Sequence, residues 1–172
     1  RDTADPLGGE IARDTGGEPT GLLYETAAMQ YAWAQRDAAA TDEDRDEDAQ
    51  RAIDAYLASG VTGVVDMAFD EFGLAAFERA RARHGGELPL RVAAHWIIDN
   101  TGDEAANLAQ VARAAELAAD PSSPWLRVVG IKFILDGTID ACTAALRHPY
   151  ADGSNARPIW PLEHLEPVVA AA

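Results

Sequence analysis

The sequence predicts an α/β protein in which a parallel sheet is covered by helices. Beyond Gly60, apolar segments rich in β-branched residues alternate with amphipathic segments. The predicted strands are residues 61–68, 90–98 and 127–135, and the predicted helices between them are residues 71–84 and 103–119. This regular alternation of strand and helix indicates right-handed crossovers, which place the strands parallel to one another in one sheet.

The N-terminal part of the chain has a different character. Residues 1–21 are dense in Gly, Pro, Asp and Thr, which favours turns and at most a short hairpin around Ile11 and Leu22. Residues 22–35, "LLYETAAMQYAWAQ", predict a helix whose Trp33 is expected to be a packing residue. We therefore expect an N-terminal turn-rich segment and helix in residues 1–40, and a partial barrel in residues 41–172.

An acidic run, "TDEDRDED", marks the start of the next predicted helix. Thr41 is a suitable N-cap, and the carboxylates of residues 42–48 lie where the helix dipole favours anions. Gly60 ends the helix. The run is interpreted as a solvated helix start, with a cation site as the alternative.

Composition limits the classes of function. The 172 residues include 14 Lys and Arg against 29 Asp and Glu, giving a net charge of -15. A surface this acidic repels nucleic-acid phosphates and anionic lipids, so neither is expected as a partner. The single cysteine, Cys142, excludes an intrachain disulfide. The chain shows neither a membrane-spanning apolar run nor a signal-peptide pattern, and we expect a cytoplasmic protein that acts on small molecules.

The predicted strands carry their polar residues on one face. Successive side chains of a strand point to opposite faces. The apolar set of the third strand is Val129, Ile131, Phe133 and Leu135, which should meet the helices. Lys132 and Asp136 belong to the other set, and His95 and Asp99 lie on the corresponding face of the middle strand. One polar face per strand suits a closed barrel better than an open sheet with helices on both sides.

Two interpretations of these polar residues remain open. They can converge on a site at the mouth of a barrel, together with Asp66 of the first strand. They can also form an internal salt-bridge network, Lys132 with Asp136 or Asp66, in which His95 is a hydrogen-bonded core histidine. Because an unpaired buried ammonium is costly, Lys132 needs a partner, a modification or a neutral state. A complete barrel needs at least about 200 residues, so three strands predict only part of one.

Several motifs together resemble a known family. They are "DPLGGEIARDTGGEPTG" (residues 5–21), "GVTGVVD" (60–66), "GIKFILDGTIDACTAAL" (130–146) and the closing "PLEHLEPVVAAA". In order and spacing they resemble amidohydrolase family 3, the YtcJ-like metal-dependent hydrolases. The resemblance implies a partial (β/α)8 TIM barrel, about the second to fourth strands with flanking helices. It also implies an enzyme that hydrolyses C–N bonds of small-molecule amides or of N-acyl and N-formyl amines with metal-activated water.

The resemblance also assigns roles to particular residues. Lys132 falls where the superfamily carries a lysine that CO2 carboxylates and that then ligates one or two divalent metal ions, here expected to be zinc. A neutral buried amine is nucleophilic toward CO2, and nearby cations stabilise the resulting carbamate. Asp136 is expected to be a catalytic neighbour of this ligand, and His95 a residue that lines the active site.

The sequence departs from the family pattern at several positions. None of the histidines, His84, His95, His148 and His164, forms the family's His-x-His pair. Cys142 replaces the usual arginine and is expected to be a small packed residue, while His148 is expected in an exposed loop. We therefore expect an internal fragment, inactive by itself, that associates with itself or with the remainder of its barrel. The alternative is a non-catalytic α/β domain that binds a protein partner through exposed sheet edges.

Overall fold

The computed structural model describes residues 2–6, 8–120 and 122–172. They form two compact units. The first, called the hairpin unit, comprises Arg1–Ala39 and Ile134–Glu163. The second, called the sheet unit, comprises Ala40–Phe133 and His164–Ala172. The change of unit near residue 40 falls where the sequence changes character, and residues 134–163 group with the N-terminal segment rather than with the sheet.

The hairpin unit begins with two antiparallel strands. Strand β1 (Gly9–Arg13) pairs with β2 (Pro19–Glu25), as the turn-rich sequence predicts. The connecting turn is held by the carboxylate of Asp14, whose Oδ1 accepts hydrogen bonds from the backbone N–H groups of Gly16 and Glu18 at 2.8 and 2.9 Å. Such Asx contacts satisfy turn amides that no strand partner reaches.

A helical segment follows β2. It consists of α1 (Thr26–Ala28), a π-helical turn (Met29–Trp33) and α2 (Ala34–Ala39). The predicted start of this helix at residue 22 is wrong, because residues 22–25 belong to β2 and pair with β1. Tertiary pairing outweighs helix propensity here. Trp33 is 48% exposed, so the expected packing role is also wrong.

The sheet unit opens with α3 (Asp42–Ala58). Its N-terminus carries the predicted cap. The hydroxyl of Thr41 accepts from the Asp44 N–H at 3.2 Å, and the Asp44 carboxylate accepts from the Thr41 N–H at 2.8 Å. This reciprocal arrangement satisfies amides that have no partner within the helix.

Three parallel strands make the sheet, in the order β3 (Gly63–Phe69), β4 (Arg91–Ile98) and β5 (Leu126–Phe133). The crossovers contain α4 (Glu71–Arg83) and α5 (Glu104–Ala118), and the chain ends in α6 (Leu162–Ala171). Asp70 and Asp103 cap α4 and α5 by accepting from the N–H groups of Gly73 and Ala106. The predicted α/β architecture is confirmed.

The core of the sheet unit lies on one face of the sheet. The buried side chains of β4 alternate along the strand, as predicted, and are Val92, Ala94, Trp96 and Ile98. Phe69 of β3 packs against both Trp96 and Phe77 of α4, with ring centroids 6.4 and 5.8 Å apart. The helix-facing side is thus apolar, and the polar side chains of β4 point to the other face.

A β-bulge interrupts the alternation in β5. Ala94 pairs with Val128 and the next residue, His95, pairs with Gly130, which leaves Val129 without a register partner. Val128 is buried with the core, whereas Val129 is 46% exposed. The prediction that Val129 faces the helices is therefore wrong. The extra residue at the bulge shifts the alternation, so residues on its N-terminal side point to the face opposite to the predicted one. From Gly130 to Phe133 the predicted faces are observed. Leu135 lies beyond the end of β5 and is 45% exposed, so its predicted burial against the helices is wrong.

Within the described residues, no helix is both long enough and apolar enough to cross a membrane.

Candidate active-site residues

The face of the sheet opposite the core, called the open face, carries two of the predicted site residues. His95 and Lys132 lie on it, on neighbouring strands, because His95 pairs with Gly130 and Lys132 pairs with Ile97. Val65 of β3 pairs with Ala93 on the same face and is 60% exposed. The open face is thus accessible in the sheet unit and combines an amine, an imidazole and apolar side chains.

Lys132 is the next-to-last residue of β5. Its side chain is half-buried, so the expected full burial is not observed. Among the residues of the sheet unit that the structure describes, Lys132 has no ion-pair partner, so the salt bridge to Asp66 considered as an alternative is not formed. The position near the carboxyl end of a parallel strand is where barrel enzymes place their chemistry.

His95 lies directly over Gly130. A Cβ at Gly130 would be 2.9 Å from Cδ2 and 3.2 Å from Nε2 of the imidazole, so only glycine leaves room for the ring. The Nδ1 atom is buried and has no hydrogen-bond partner within the described part of the chain. A buried ring nitrogen in a protein core normally has a hydrogen-bond partner. The interpretation of His95 as a fully hydrogen-bonded core histidine is therefore wrong, because its Nδ1 lacks one within the described part of the chain.

Asp66 does not share the open face with these residues. It pairs with Ala94, whose side chain belongs to the buried set, and its Oδ1 accepts from the N–H of Ala68 at 2.9 Å. The register of β3 shifts immediately after this residue. Asp66 thus supports an irregularity of the strand, and the expectation that it joins Lys132 is wrong.

Two carboxylates stand just beyond the ends of β3 and β4. Asp70 follows β3 and caps α4, and Asp99 follows β4. Partial loss of hydration, and to a smaller extent the negative charge of Asp70, raise the pKa of Asp99, although Asp99 as a residue is exposed. The protonated form of Asp99 is thus favoured mainly by its partial desolvation, with a smaller contribution from the nearby carboxylate of Asp70.

Asp136, the third predicted site residue, belongs to the hairpin unit. Its Oδ2 accepts from the N–H of Ala145 at 2.9 Å, which links two parts of the same loop within the hairpin unit. The side chain of Thr143 fills the place that a Cβ at Gly137 would occupy.

The side chain of Thr143 links this loop to Glu25 and Thr138 by hydrogen bonds. Its hydroxyl donates to Oε1 of Glu25 at 2.6 Å and accepts from the N–H of Thr138 at 2.9 Å. Glu25 has a φ of 49°, which a non-glycine residue rarely adopts. Such strain persists only where neighbouring contacts hold it, and the Thr143 hydroxyl is one of them.

A cleft of about 1000 Å³ lies within the hairpin unit. Two motifs of the sequence meet on it: Asp5 and Gly9 come from residues 5–21, and Cys142 comes from residues 130–146. Cys142 is exposed with a φ of 56°, so the expected packed cysteine is wrong. His148 is exposed, as expected. Sequence reasoning missed the cleft itself, although part of its lining, including Asp5, Gly9 and Cys142, stands in the motifs that carry the family resemblance.

The donor types on the open face suit a divalent metal only in part. An imidazole with an unpartnered ring nitrogen and a lysine amine that becomes an anion on carboxylation are suitable ligands. However, no group of three or more His, Cys, Asp or Glu side chains is placed to hold a metal among the residues described. Catalytic zinc usually has about three protein ligands. Among the described residues, the open face therefore offers an imidazole and an amine but no such set of three.

Known proteins similar to this chain are longer than it. YtcJ of Bacillus subtilis (strain 168), which is named as an amidohydrolase, is 30% identical over 157 residues, covering 88% of this chain and 27% of that protein. An N-substituted formamide deformylase of Arthrobacter pascens is 38% identical over 90 residues, covering 51% of this chain and 16% of that protein. The chain thus spans under a third of the length of these two relatives.

The fold of this chain matches part of a longer protein of known structure. A metal-dependent hydrolase from Pyrococcus horikoshii OT3 superposes with a TM-score of 0.65 at 22% identity, covering 93% of this chain and 31% of that one. The predicted partial barrel, with its three parallel strands, is thereby confirmed. The sequence matches the amidohydrolase family over residues 1–172. With a family match over its whole length and this fold, the chain belongs to the amidohydrolase family.

Proposed function

We propose that this chain is part of a metal-dependent amidohydrolase that hydrolyses C–N bonds of amides or of N-acyl and N-formyl amines. The observation that carries the proposal is the position of Lys132. Within a chain that matches the family throughout, this lysine lies on the open face near the carboxyl end of β5 and has no ion-pair partner among the described residues. An amine left unpaired at this place is available for modification or for a ligand.

Lys132 has the central role in this proposal. The neutral amine of a lysine side chain is the form that reacts with CO2. When the amine nitrogen adds to CO2, an N–C bond forms and one proton leaves the nitrogen for the solvent, so the carbamate carries one negative charge on two oxygen atoms and can serve as an anionic ligand. Divalent metal, proposed as one or two zinc ions in the complete enzyme, would supply a water of lowered pKa as nucleophile.

His95 and Asp136 have supporting roles. The imidazole of His95 is held over Gly130, and its unpartnered Nδ1 is available to a ligand or to a group of the complete enzyme. Asp136 is proposed as a catalytic neighbour, and its hydrogen bond from Ala145 fixes one carboxylate oxygen, while the other accepts no hydrogen bond from the described residues. A carboxyl group in this role delivers a proton to the leaving amine.

The substrate class is proposed from the family and from one relative. The deformylase of Arthrobacter pascens, by its name, acts on N-substituted formamides, and it shares 38% identity over about half of this chain. We therefore propose small-molecule, non-peptide amides as substrates. We also propose that the protein acts in the cytoplasm and that the sheet unit is completed by the remainder of its own barrel.

The experiment is a comparison of hydrolysis rates for the complete protein. Metal content is measured first, and the protein is then offered N-benzylformamide, an N-acetyl amine and a carboxylic ester of similar size. The proposal expects turnover of at least one amide that disappears on removal of metal and returns on its addition. Turnover of the ester alone, or turnover that is indifferent to metal, would refute it.

A further inference from the structure

The cleft of the hairpin unit presents unneutralised charges of both signs. Glu10 of β1 and Tyr24 of β2 are cross-strand partners, so their side chains project from the same face of the hairpin and line the cleft. Arg157 lines it from the loop that precedes α6. Among the described residues, neither the Glu10 carboxylate nor the Arg157 guanidinium has an ion-pair or hydrogen-bond partner.

The third charged group of the cleft is already neutralised. Asp5 accepts from Arg13 Nη1 at 2.8 Å and from the N–H of Ile11 at 3.0 Å. The hydrogen bond from Arg13, followed by that from Ile11, lowers the pKa of Asp5, which keeps it ionised and paired. The free charges that a ligand meets in this cleft are therefore one carboxylate and one guanidinium.

The loop that carries Arg157 is held in place by its own hydrogen bonds. Asn155 accepts from the N–H of Leu146 at 2.9 Å and donates to the carbonyl of Leu146 at 2.6 Å. The hydroxyl of Tyr150 accepts from the N–H of Ala144 at 3.1 Å and donates to the carbonyl of the same residue at 3.2 Å. The backbone that presents Arg157 and Cys142 is thus constrained before any ligand arrives, which lowers the entropic cost of binding.

We propose that this cleft binds a small zwitterion, an amino acid or dipeptide-like molecule. Its carboxylate is recognised by the planar guanidinium of Arg157, which suits bidentate contact, and its ammonium by the carboxylate of Glu10. The ring of Tyr24 gives the apolar body of the ligand a surface to pack on. A volume of about 1000 Å³ is within the range of small-molecule sites. This inference stands on the hairpin unit alone and does not use Lys132.

The test crosses three ligands with three variants of the complete protein. The ligands are glycyl-leucine, its N-acetylated form, which lacks the ammonium, and its C-terminal amide, which lacks the carboxylate. Affinities are measured by calorimetric titration for Glu10→Gln, Arg157→Gln and the control Arg147→Gln, which removes an exposed arginine from the same loop outside the cleft lining.

Glycyl-leucine is expected to bind most tightly, and Glu10→Gln and Arg157→Gln each to weaken it about tenfold, as the loss of one charged hydrogen-bonded contact requires. The N-acetyl form should be indifferent to Glu10→Gln, and the amide to Arg157→Gln, while Arg147→Gln changes nothing. Binding of the three ligands with equal affinity, equal losses in all three variants, or no binding of glycyl-leucine would overturn the proposal.

A second measurement locates the ligand. Cys142 is exposed and lines the same cleft, so iodoacetamide should alkylate its thiol, and mass spectrometry of the peptide that contains it measures the rate. Glycyl-leucine is expected to slow this alkylation in the unmodified protein and in Arg147→Gln, but not at the same concentration in Arg157→Gln. Alkylation that is unaffected by a concentration which saturates binding would place the ligand elsewhere and overturn the assignment.

Discussion

The imidazole of His95 occupies the space that a side chain at Gly130 would need, with Cδ2 only 2.9 Å from the position of a Cβ there. These two residues are register partners on the open face of neighbouring strands. The absence of a side chain on β5 thus determines where a ring on β4 can lie.

The first prediction follows from this contact. Gly130→Ala should destabilise the protein by about 1–3 kcal/mol, because the ring or the strand must move to admit the methyl group. Urea unfolding of the complete protein measures the change. Gly63→Ala is the matched control, since a Cβ at Gly63 meets its nearest atom at 3.6 Å, an ordinary contact. Equal effects of the two substitutions would show that the ring does not restrict position 130.

The second prediction concerns metal binding. Lys132→Ala in the complete protein should remove bound metal and activity, and short carboxylic acids should restore part of both by replacing the proposed carbamate oxygens. Arg127→Ala is the control, because Arg127 pairs with Ala93 and so shares the open face at the opposite end of β5. Metal content, measured by elemental analysis, checks the prediction. An unchanged metal content in Lys132→Ala would exclude the proposed role.

The third prediction is that the 172-residue chain alone does not hydrolyse amides. Its described residues contain no group of three or more His, Cys, Asp or Glu side chains placed for a metal, whereas catalytic zinc usually requires about three protein ligands. The purified chain is assayed with the N-benzylformamide and N-acetyl amine used for the complete protein, with and without added zinc. Metal-dependent turnover by the chain alone would contradict the prediction.

The fourth prediction concerns assembly. Strands β3 and β5 are the edges of the sheet, and the open face exposes Val65 and Val129, which are 60% and 46% accessible. Unpaired edges beside apolar side chains recruit further strands. We expect the isolated chain to increase in mass with concentration in light-scattering measurements. A monodisperse, cooperatively melting monomer at every concentration would show that the chain protects its own edges.

The fifth prediction is a pH dependence of stability. Asp46 of α3 accepts from Arg79 and Arg83 of α4, each at 2.7 Å. Burial on its own raises the pKa of Asp46, but the hydrogen bonds from Arg83 and Arg79 outweigh it and hold this pKa below its ordinary value. A lowered pKa in the folded state means that the unfolded chain binds the proton of this carboxyl group more tightly than the folded chain does. The contribution of ionised Asp46 to the free energy of unfolding is therefore complete above about pH 4 and is lost as the pH falls further.

Asp46→Asn should therefore cost about 1 kcal/mol of unfolding free energy at pH 7 and progressively less below pH 4. Urea unfolding of the complete protein at a series of pH values measures this difference. Asp48→Asn is the control, because Asp48 pairs with Arg51 within α3 and its side chain is 73% exposed. If Asp46→Asn lowered the free energy of unfolding by the same amount down to about pH 2, the effect would not come from the ionised carboxylate of Asp46.

Sequence reasoning located the sheet and most of its helices because their patterns are set by local burial. The strands and α4 and α5 lie within one or two residues of their predicted positions. Residues 22–25 were misassigned because their apolar run fits either structure, and only pairing with β1 decides between them. Lys132 and His95 were correctly placed on one face, since alternation along a strand is a local property.

Other features depend on contacts that a sequence does not display. Asp66 was predicted on the open face but lies on the other one. Alternation along a strand divides its residues into two sets, but only the register with the neighbouring strand decides which set shares a face with which. The cleft of the hairpin unit brings Glu10 near Cys142 and Arg157, far apart in the chain. No periodicity links such residues, and only the folded loop brings them together.

The bulge at Val129 bears on how β5 can change in evolution. Because Val129 is the extra residue, its deletion would restore regular alternation and leave Lys132 on the open face with Val128 still in the core. Deleting Ile131 instead would bring Lys132 to the helix-facing side. Lineages can therefore gain or lose a residue at position 129 without moving the lysine, whereas the segment from Gly130 to Lys132 must keep its length.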